Sequence, residues 1–331
     1  MESTRNKLIA LLEKNEKDYI SGQILSDQLN ISRNAVWKHM KELEKDGYTI
    51  EAKRNKGYRI TGYPDKISEN TIKWGLNTDW IAHSVIHKES TPSTQILAHQ
   101  VAREQAPHGT VIISDEQTEG KGRLNRKWHS EKNNGIWMSI LLRPQIPPQH
   151  APQLTLMTAT VLAEVLSDHR IQPSIKWPND LLLQEKKVAG ILTEMQAEQD
   201  QIQYIIIGIG MNVNQSEDGL YKNLQEKATS LKIETGRTWS IRQLIQDILK
   251  KFENVYNYYI ENGFAEIKKK WENYGFKIGE PIHIKMVKNE WEATFLGIGE
   301  DGALLTTSAE GMPTKVYSAE IDWFKGGNES C

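Results

Sequence analysis

Residues 204–212, Tyr204-Ile205-Ile206-Ile207-Gly208-Ile209-Gly210-Met211-Asn212, decide the fold of the central part of this chain. The apolar run at the start has the composition of a β-strand. The strand ends in small residues and an amide, so its backbone can form a wall that a ligand approaches closely. The two glycines resemble the start of a dinucleotide fingerprint, but no third glycine follows at the required spacing. A Rossmann-type site is therefore not predicted.

Similar patterns continue on both sides of this strand. Residues 111–114 and 135–141 are further strong strands, whereas residues 154–166 and 241–259 have the periodicity of helices. Because strands and helices alternate from about residue 67 to residue 274, the sequence predicts a mixed α/β domain there.

The first 62 residues predict a winged helix-turn-helix. Ser21 and Ser32 are each placed to cap a helix, and Gly47 is placed to end the third helix in a left-handed conformation. Residues 48–52 and 57–60 then predict a hairpin with a basic tip. The second and third helices are expected to turn apolar residues inward, namely Ile24, Leu25, Leu29, Val36, Met40 and Leu43.

This arrangement is typical of DNA-binding domains, in which the third helix enters the major groove and the hairpin contacts the backbone. A single copy would bind weakly, so we expect a dimer that reads two half-sites. The alternative is a small protein-interaction module with a solvated basic face. The residues predicted to contact DNA are Ser32, Arg33, Asn34, Trp37, Lys38, Lys41, Lys53, Arg54 and Lys56.

Composition excludes other classes of protein. A net charge of −2 over 331 residues does not suit a protein that binds polyanions with its whole surface. Residues 1–62 nevertheless hold 12 Lys and Arg against 9 Asp and Glu. The only cysteine is Cys331, so an intrachain disulfide is impossible. With no apolar signal core and no apolar run long enough to cross a membrane, we expect a soluble, cytoplasmic protein.

Several short motifs in the central part suit the chemistry of an anionic ligand. In Gly120-Lys121-Gly122-Arg123-Leu124-Asn125-Arg126-Lys127-Trp128, glycines let backbone N–H groups approach a ligand, cations suit phosphate or carboxylate oxygens, and the tryptophan can close over a planar ring. Ser93-Thr94-Gln95 stands just before a helix. Lys176-Trp177-Pro178-Asn179-Asp180 brings a cation, an amide and a carboxylate together, and Lys187 follows directly before a strand. Each motif alone also fits an ordinary cap, turn or solvated loop.

Taken together and in this order, the motifs resemble those of the bifunctional bacterial biotin protein ligases, which also repress biotin synthesis. The resemblance covers essentially all 331 residues. It implies a multidomain α+β protein with a winged helix-turn-helix DNA-binding domain at residues 1–62 and a mixed α/β biotin-ligase domain at residues 63–275. Short strands predicted at 281–287, 291–299, 303–307 and 314–317 would then form an SH3-like β-barrel at residues 276–331.

The resemblance also implies a reaction. Such enzymes join biotin to ATP, with Mg²⁺, to give biotinyl-5′-AMP, and then pass the biotinyl group to a lysine of a carrier domain. Lys187 is expected to bridge the biotin carboxylate and the α-phosphate, with Arg123 in support, and Asp180 to serve a metal ion or the incoming amine. The residues that match biotin-binding positions are Ser93, Thr94, Gln95, Gln117, Lys121, Gly122, Arg123 and Lys187. Those that match nucleotide-binding positions are Arg126, Trp128, Lys176, Asn179 and Asn212, and no fixed metal site is predicted.

The sequence departs from the usual family loop, Gly-Arg-Gly-Arg-x-Gly-Arg, at two positions. Lys121 replaces an arginine and keeps the charge but not the bidentate geometry. Asn125 replaces a glycine, and asparagine tolerates a left-handed φ better than most residues. We expect the loop to keep its path and the enzyme its activity.

The expected partners are the biotin carboxyl carrier domains of biotin-dependent carboxylases and operator DNA, with no membrane. Biotinyl-5′-AMP would be both the reaction intermediate and the corepressor, because it accumulates when carrier is saturated and would then favour a DNA-binding homodimer. Two alternatives remain open at this point. One is a transcription factor that senses biotin without ligating it, and the other is a ligase for another acyl group such as lipoate.

Overall fold

The computed structural model describes residues 4–15, 17–219, 227–286, 289–307, 311–317 and 319–323. The chain divides into two compact units, residues 1–77 with 240–243 and residues 78–239 with 244–331. No helix within the described ranges is both long enough and apolar enough to span a bilayer.

The first unit contains three helices, a hairpin and a short fourth helix. Its elements are α1 (Thr4–Lys14), α2 (Gly22–Leu29), α3 (Arg33–Lys45), β1 (Thr49–Lys53), β2 (Gly57–Gly62) and α4 (Glu69–Lys73). The strands pair antiparallel, and Ile20 adds a backbone bridge to the outer side of β2 through two 2.9 Å hydrogen bonds with Tyr58. The predicted winged helix-turn-helix arrangement is therefore present.

Local signals fix the helix ends in this unit. The hydroxyl oxygens of Ser21 and Ser32 accept the backbone N–H groups of Ile24 and Ala35, as the caps predicted from the sequence require. Gly47 has a φ of 93° just beyond α3, which confirms the left-handed ending. The prediction for Ile24 was wrong: its side chain is 47% exposed, because Leu25 alone fills the core position at that turn of α2.

The second unit is built on a seven-stranded mixed sheet. Its strands lie in the order β3-β4-β5-β9-β8-β7-β6, and only the β3–β4 pair is parallel. Helix α5 packs on β4, β5 and β9, and α6 packs on β6, β7 and β8. The elements are α5 (Thr94–Arg103), α6 (Ala151–Asp168), α7 (Leu231–Thr235), α8 (Ile241–Asn262), α9 (Ala265–Tyr274), β3 (Val85–Lys88), β4 (Val111–Ser114), β5 (Gly135–Leu142), β6 (Ser174–Lys176), β7 (Asp180–Leu183), β8 (Lys186–Glu198) and β9 (Gln201–Asn212).

The C-terminal part of this unit is an antiparallel sheet in the order β13-β12-β11-β10-β14. Its strands are β10 (Pro281–Lys285), β11 (Glu290–Ile298), β12 (Leu304–Thr307), β13 (Pro313–Val316) and β14 (Glu320–Asp322), of which the last was not predicted. The predicted barrel is not seen: among the described residues the sheet is open, since the two edge strands are only four and three residues long and do not pair with each other. Residue 287, predicted to end a strand, lies outside the described residues.

Gly57 tests the hairpin of the first unit. It has a φ of 114°, and an added Cβ atom would collide with the carbonyl oxygen of Ile20. We expect Gly57→Ala to destabilise the unit by about 3 kcal/mol or more, through backbone strain and overpacking together. Gly75→Ala is the control, because its φ is 69° and no atom lies within 4 Å of the added Cβ.

The measurement is native-state hydrogen exchange of the α2 and α3 amides in the full chain. Gly75→Ala should lower protection by only about 1–2 kcal/mol, the usual cost of a left-handed residue. If both variants lost the same protection from hydrogen exchange, the close contact between Gly57 and Ile20 would not be what makes glycine necessary at residue 57.

Candidate active site

A cleft of about 1490 Å³ lies in the second unit, between the glycine-basic loop, the ends of the central strands and the C-terminal sheet. The sequence placed its candidate ligand-binding residues in six separate segments, and the fold brings them to this one cleft. The residues that line it include all fourteen predicted positions: Ser93, Thr94, Gln95, Gln117, Lys121, Gly122, Arg123, Arg126, Trp128, Lys176, Asn179, Asp180, Lys187 and Asn212.

The floor of the cleft is a network of uncharged polar side chains. The Gln117 Oε1 atom accepts the Thr94 backbone N–H at 2.8 Å, and Thr94 Oγ1 lies 2.8 Å from Ser139 Oγ. Ser139 in turn donates to Gln95 Oε1 at 3.0 Å. The Thr94 hydroxyl also lies within donating distance of Gln117 Oε1, at 3.1 Å, so Thr94 and Ser139 share their protons among three acceptors. The floor therefore presents amide and hydroxyl groups, which suit a neutral ligand that both donates and accepts.

Helix α5 positions part of this floor. Ser93 is the N-cap, and its Oγ accepts the Gln95 backbone N–H at 3.3 Å. Gln95 Nε2 donates to the backbone carbonyls of Leu192 and Ile206 at 3.3 and 3.4 Å, which ties the helix to β8 and β9. The N-terminus of α5 is thereby held against the sheet, where a helix dipole favours electronegative ligand atoms.

Ser139 belongs to the polar floor but is not among the predicted site residues. This residue is completely buried in the middle of β5, between the apolar residues of Gly135-Ile136-Trp137-Met138-Ser139-Ile140-Leu141-Leu142. A buried hydroxyl requires a hydrogen-bond partner, so a single serine in such a strand was a usable signal. Its partners lie on α5, however, and only the fold shows them.

The glycine-basic loop folds into a small closed hairpin. The Gly122 N–H donates to the Arg126 carbonyl and the Trp128 N–H to the Gly120 carbonyl, each at 2.8 Å. At its tip, Leu124 and Asn125 have φ values of 55° and 56°. Asn125, which stands where the family loop has a glycine, therefore has the left-handed conformation that asparagine tolerates better than most residues.

Two glycines form the wall on which Trp128 lies. Gly190 of β8 pairs with Gly210 of β9, and an added Cβ atom would come within 3.1 and 2.6 Å, respectively, of the Trp128 ring. The close-approach wall predicted from the sequence is present, and in this structure it is the indole that approaches it. The ring is held in a position where a planar ligand group could pack beside it.

Asp180 is surrounded by cations. Lys187 Nζ lies 2.7 Å from Asp180 Oδ1 and 5.2 Å from the centroid of the Trp128 ring. Arg123 Nη1 donates to Asn179 Oδ1 at 3.3 Å. Burial lowers the pKa of both Arg123 and Lys176, and the Asp180 carboxylate opposes both shifts. Because these cations are partly desolvated, an anionic ligand that pairs with them would stabilise their charged forms.

The lining as a whole is strongly cationic. The three carboxylates are Glu131, Asp180 and Glu185, whereas the nine Lys and Arg residues are Lys121, Arg123, Arg126, Lys127, Lys176, Lys186, Lys187, Lys227 and Lys285. This excess favours a ligand with several negative charges, such as a carboxylate together with phosphates.

Asn179 and Asn212 hold the backbone around the cleft. Asn179 Nδ2 donates to the Ile191 carbonyl at 2.8 Å, and Asn212 Nδ2 donates to the Thr229 carbonyl at 3.0 Å. Within the described ranges, no three His, Cys, Asp or Glu residues are grouped as metal ligands. The Asp180 carboxylate lines the cleft beside these amides.

The residues predicted to contact DNA lie on the surface of the first unit. Trp37 is 55% exposed on α3, and Lys41 on the same helix is paired with Glu44 at 2.6 Å. Ser32 is occupied as the cap of α3. The remaining predicted residues are exposed on α3 or at the tip of the hairpin: Arg33, Asn34, Lys38, Lys53, Arg54 and Lys56.

Comparison with known proteins matches both regions. Residues 87–212 match the model of the biotin/lipoate A/B protein ligase family, and residues 4–59 match an HTH domain. The bifunctional ligase/repressor BirA of Bacillus subtilis is 45% identical over 97% of this chain and 99% of its own length. The protein of the same name from Escherichia coli is 30% identical over 90% of this chain and 91% of its own length.

A solved structure agrees with the second unit. The biotin protein ligase from Aquifex aeolicus, in complex with biotin and ATP, superposes with a TM-score of 0.62 at 31% identity. The match covers 72% of this chain and 98% of that one.

Ser139 tests the polar floor. Ser139→Ala removes the hydroxyl donor to the buried Gln95 Oε1 and the hydrogen-bond partner of the Thr94 hydroxyl. We expect the free energy of unfolding of this unit to fall by about 1–3 kcal/mol, the cost of unsatisfied buried polar groups. Urea unfolding measures it, with the half-buried Ser167→Ala on α6 as the control. A loss no larger than that of the control would show that the network does not stabilise the floor.

Proposed function

This chain belongs to the biotin/lipoate A/B protein ligase family, and from that membership we infer that it is a bifunctional biotin protein ligase and transcriptional repressor. It activates biotin with ATP as biotinyl-5′-AMP, transfers the biotinyl group to a lysine of a carrier protein, and represses genes of biotin synthesis and uptake. The observation that carries the proposal is a single cleft with a neutral hydrogen-bonding floor and a cationic rim.

The two parts of the cleft suit the two parts of the substrate pair. A ureido ring has N–H donors and a carbonyl acceptor, which match the uncharged network of Thr94, Gln117 and Ser139. The biotin carboxylate and the phosphates of ATP are anions that repel each other. The cations of the rim offset this repulsion, so that the two groups can meet.

The first step forms a bond between a carboxylate oxygen of biotin and the α-phosphorus of ATP, and pyrophosphate leaves. We assign Lys187 to the two anions, with Arg123 in support. The Lys187 ammonium lies 2.7 Å from Asp180. When the substrates bind, Lys187 must therefore either contact Asp180 and the ligand together or leave Asp180 for the ligand. Bound Mg²⁺, for which Asp180 is the candidate protein ligand, would neutralise charge on the phosphates.

In the second step the neutral amine of the carrier lysine attacks the acyl carbon, the bond from that carbon to the phosphate oxygen breaks, AMP leaves as its anion, and the nitrogen loses a proton. We propose that Asp180, when it is not a metal ligand, accepts a hydrogen bond from the incoming amine or takes its proton. Trp128, Arg126, Lys176, Asn179 and Asn212 form the nucleotide side of the cleft. Ser93, Thr94, Gln95, Gln117, Lys121 and Gly122 form the biotin side.

Repression follows from the lifetime of the adenylate. When apo carrier is abundant, the adenylate is consumed, and when carrier is saturated it persists. We propose that biotinyl-5′-AMP binds the homodimer better than the single chain, as any corepressor of this kind must. The dimer presents two copies of α3 and its hairpin to two operator half-sites.

The remaining organisation is also proposed. We assign residues 1–62 to DNA binding, residues 63–275 to catalysis and residues 276–331 to a module that completes the carrier surface. The carriers are the biotin carboxyl carrier domains of biotin-dependent carboxylases, and the site of action is the cytoplasm.

Transfer of labelled biotin to a purified apo carrier domain tests the ligase. We expect labelling that depends on ATP, with Lys187→Ala lowering adenylate formation about 10²–10³-fold through loss of one electrostatic contact. Lys186→Ala is the matched control, because this neighbouring lysine also lines the cleft but has no proposed role in the reaction. Wild-type protein that binds biotin without forming adenylate would favour a sensor, and labelling by lipoate in preference to biotin would favour another acyl ligase.

Sedimentation tests the link between catalysis and repression. Biotin with ATP should shift the protein from one chain to two, because the adenylate is proposed to favour the dimer. Excess apo carrier should reverse the shift by consuming the adenylate, whereas already biotinylated carrier should not. An unchanged mass in all conditions would contradict the corepressor mechanism.

A further inference from the structure

The outer face of the hairpin carries a cluster of three side chains, Tyr19, Glu51 and Arg59, to which no role has been assigned above. Arg59 Nη2 lies 2.7 Å from Glu51 Oε2, and the Tyr19 hydroxyl donates to the other oxygen of the same carboxylate. The Arg59 guanidinium also lies over the Tyr19 ring, 4.9 Å from its centroid. The ion pair with Glu51 and the contact with the Tyr19 ring therefore both restrain the Arg59 side chain.

The strand register places this cluster beside the basic tip. Glu51 pairs with Arg59, and Lys53 pairs with Gly57, so all four positions share one face of the hairpin. The opposite face carries Ile60, which is only 2% exposed and packs in the core of the unit. Glu51 and Arg59 thus lie on the same outer face as Lys53, one of the residues expected to contact DNA.

The cluster is charged at neutral pH. The hydrogen bond from Tyr19, and then that from Arg59, lowers the pKa of Glu51. The same bond to Glu51 raises the pKa of Tyr19, which therefore stays protonated as a donor. The ionised Glu51 carboxylate therefore competes with DNA phosphates for the Arg59 guanidinium.

We propose that Glu51, held in place by Tyr19, keeps Arg59 from contacting the DNA backbone. The pair thereby limits the DNA affinity of a single winged helix-turn-helix domain. This inference rests on the proposed repressor function. Because this ion pair is exposed to solvent, removing the charge of Glu51 is sufficient to free the arginine. Low affinity of one copy makes binding depend on two copies, and hence on the adenylate.

Salt-dependent binding of a fluorescein-labelled, mixed-sequence 40-base-pair duplex tests the proposal, because non-specific affinity reports phosphate contacts. Glu51→Gln keeps the size of the side chain and an acceptor for Tyr19 but removes the charge. We expect the full-length variant to bind roughly fivefold to tenfold more tightly at low salt. The slope of log K against log salt should become steeper by about 0.9 for each copy bound, the value for one added phosphate contact.

Arg59→Gln is the matched background. Alone it should leave the slope of log K against log salt at the wild-type value. Adding Glu51→Gln to Arg59→Gln should not make the slope steeper, although it removes the same negative charge as in the single variant. A gain that persists without Arg59 would reduce the effect to general charge and overturn the proposal. An unchanged slope in Glu51→Gln, in a protein whose thermal unfolding matches the wild type, would overturn it too. Wild-type protein that binds no DNA at low salt would instead refute the repressor function itself.

Discussion

The register of β5, β9 and β8 is the constraint on which the cleft depends. Gly208 lies between Ser139 and Leu192, and Gly210 lies between Trp137 and Gly190. An added Cβ at Gly208 would lie 2.7 Å from Gln95 Oε1, so the floor exists only because that position carries no side chain. A slip of one residue would bring either Ile207 and Ile209 or Ile209 and Met211 to these places and turn the glycines to the other face of the sheet. The apolar strands therefore hold the polar site in position as well as filling the core.

Both functional regions keep cations paired with carboxylates. Lys187 is paired with Asp180 in the cleft, and Arg59 is paired with Glu51 on the hairpin. Under the proposals above, an anionic ligand has to compete with a carboxylate for a cation in each place, which lowers its affinity. The difference lies in solvent exposure: the cleft is partly desolvated, so exchange of partners there has a larger effect than on the hairpin surface.

Sequence reasoning succeeded where the signal is local. Serine caps, a left-handed glycine and the left-handed Asn125 each follow from the conformational preference of one residue. The candidate site residues were found through motifs, and the fold brings all of them to one cleft. Ser139 was missed because its partners come from α5, about 44 residues earlier in the chain. The orientation of Ile24 and the open C-terminal sheet likewise depend on packing and on strand ends, which periodicity does not determine.

The central claim is that one cleft joins a carboxylate to a nucleotide. Its most direct test is mass spectrometry of the small molecules released by denaturing the protein after incubation with biotin, ATP and Mg²⁺, without any carrier. We expect about one equivalent of biotinyl-5′-AMP per chain, with pyrophosphate in the filtrate, because the product is held where its two halves were bound. Release of unchanged biotin and ATP from a protein that has bound both would contradict the claim.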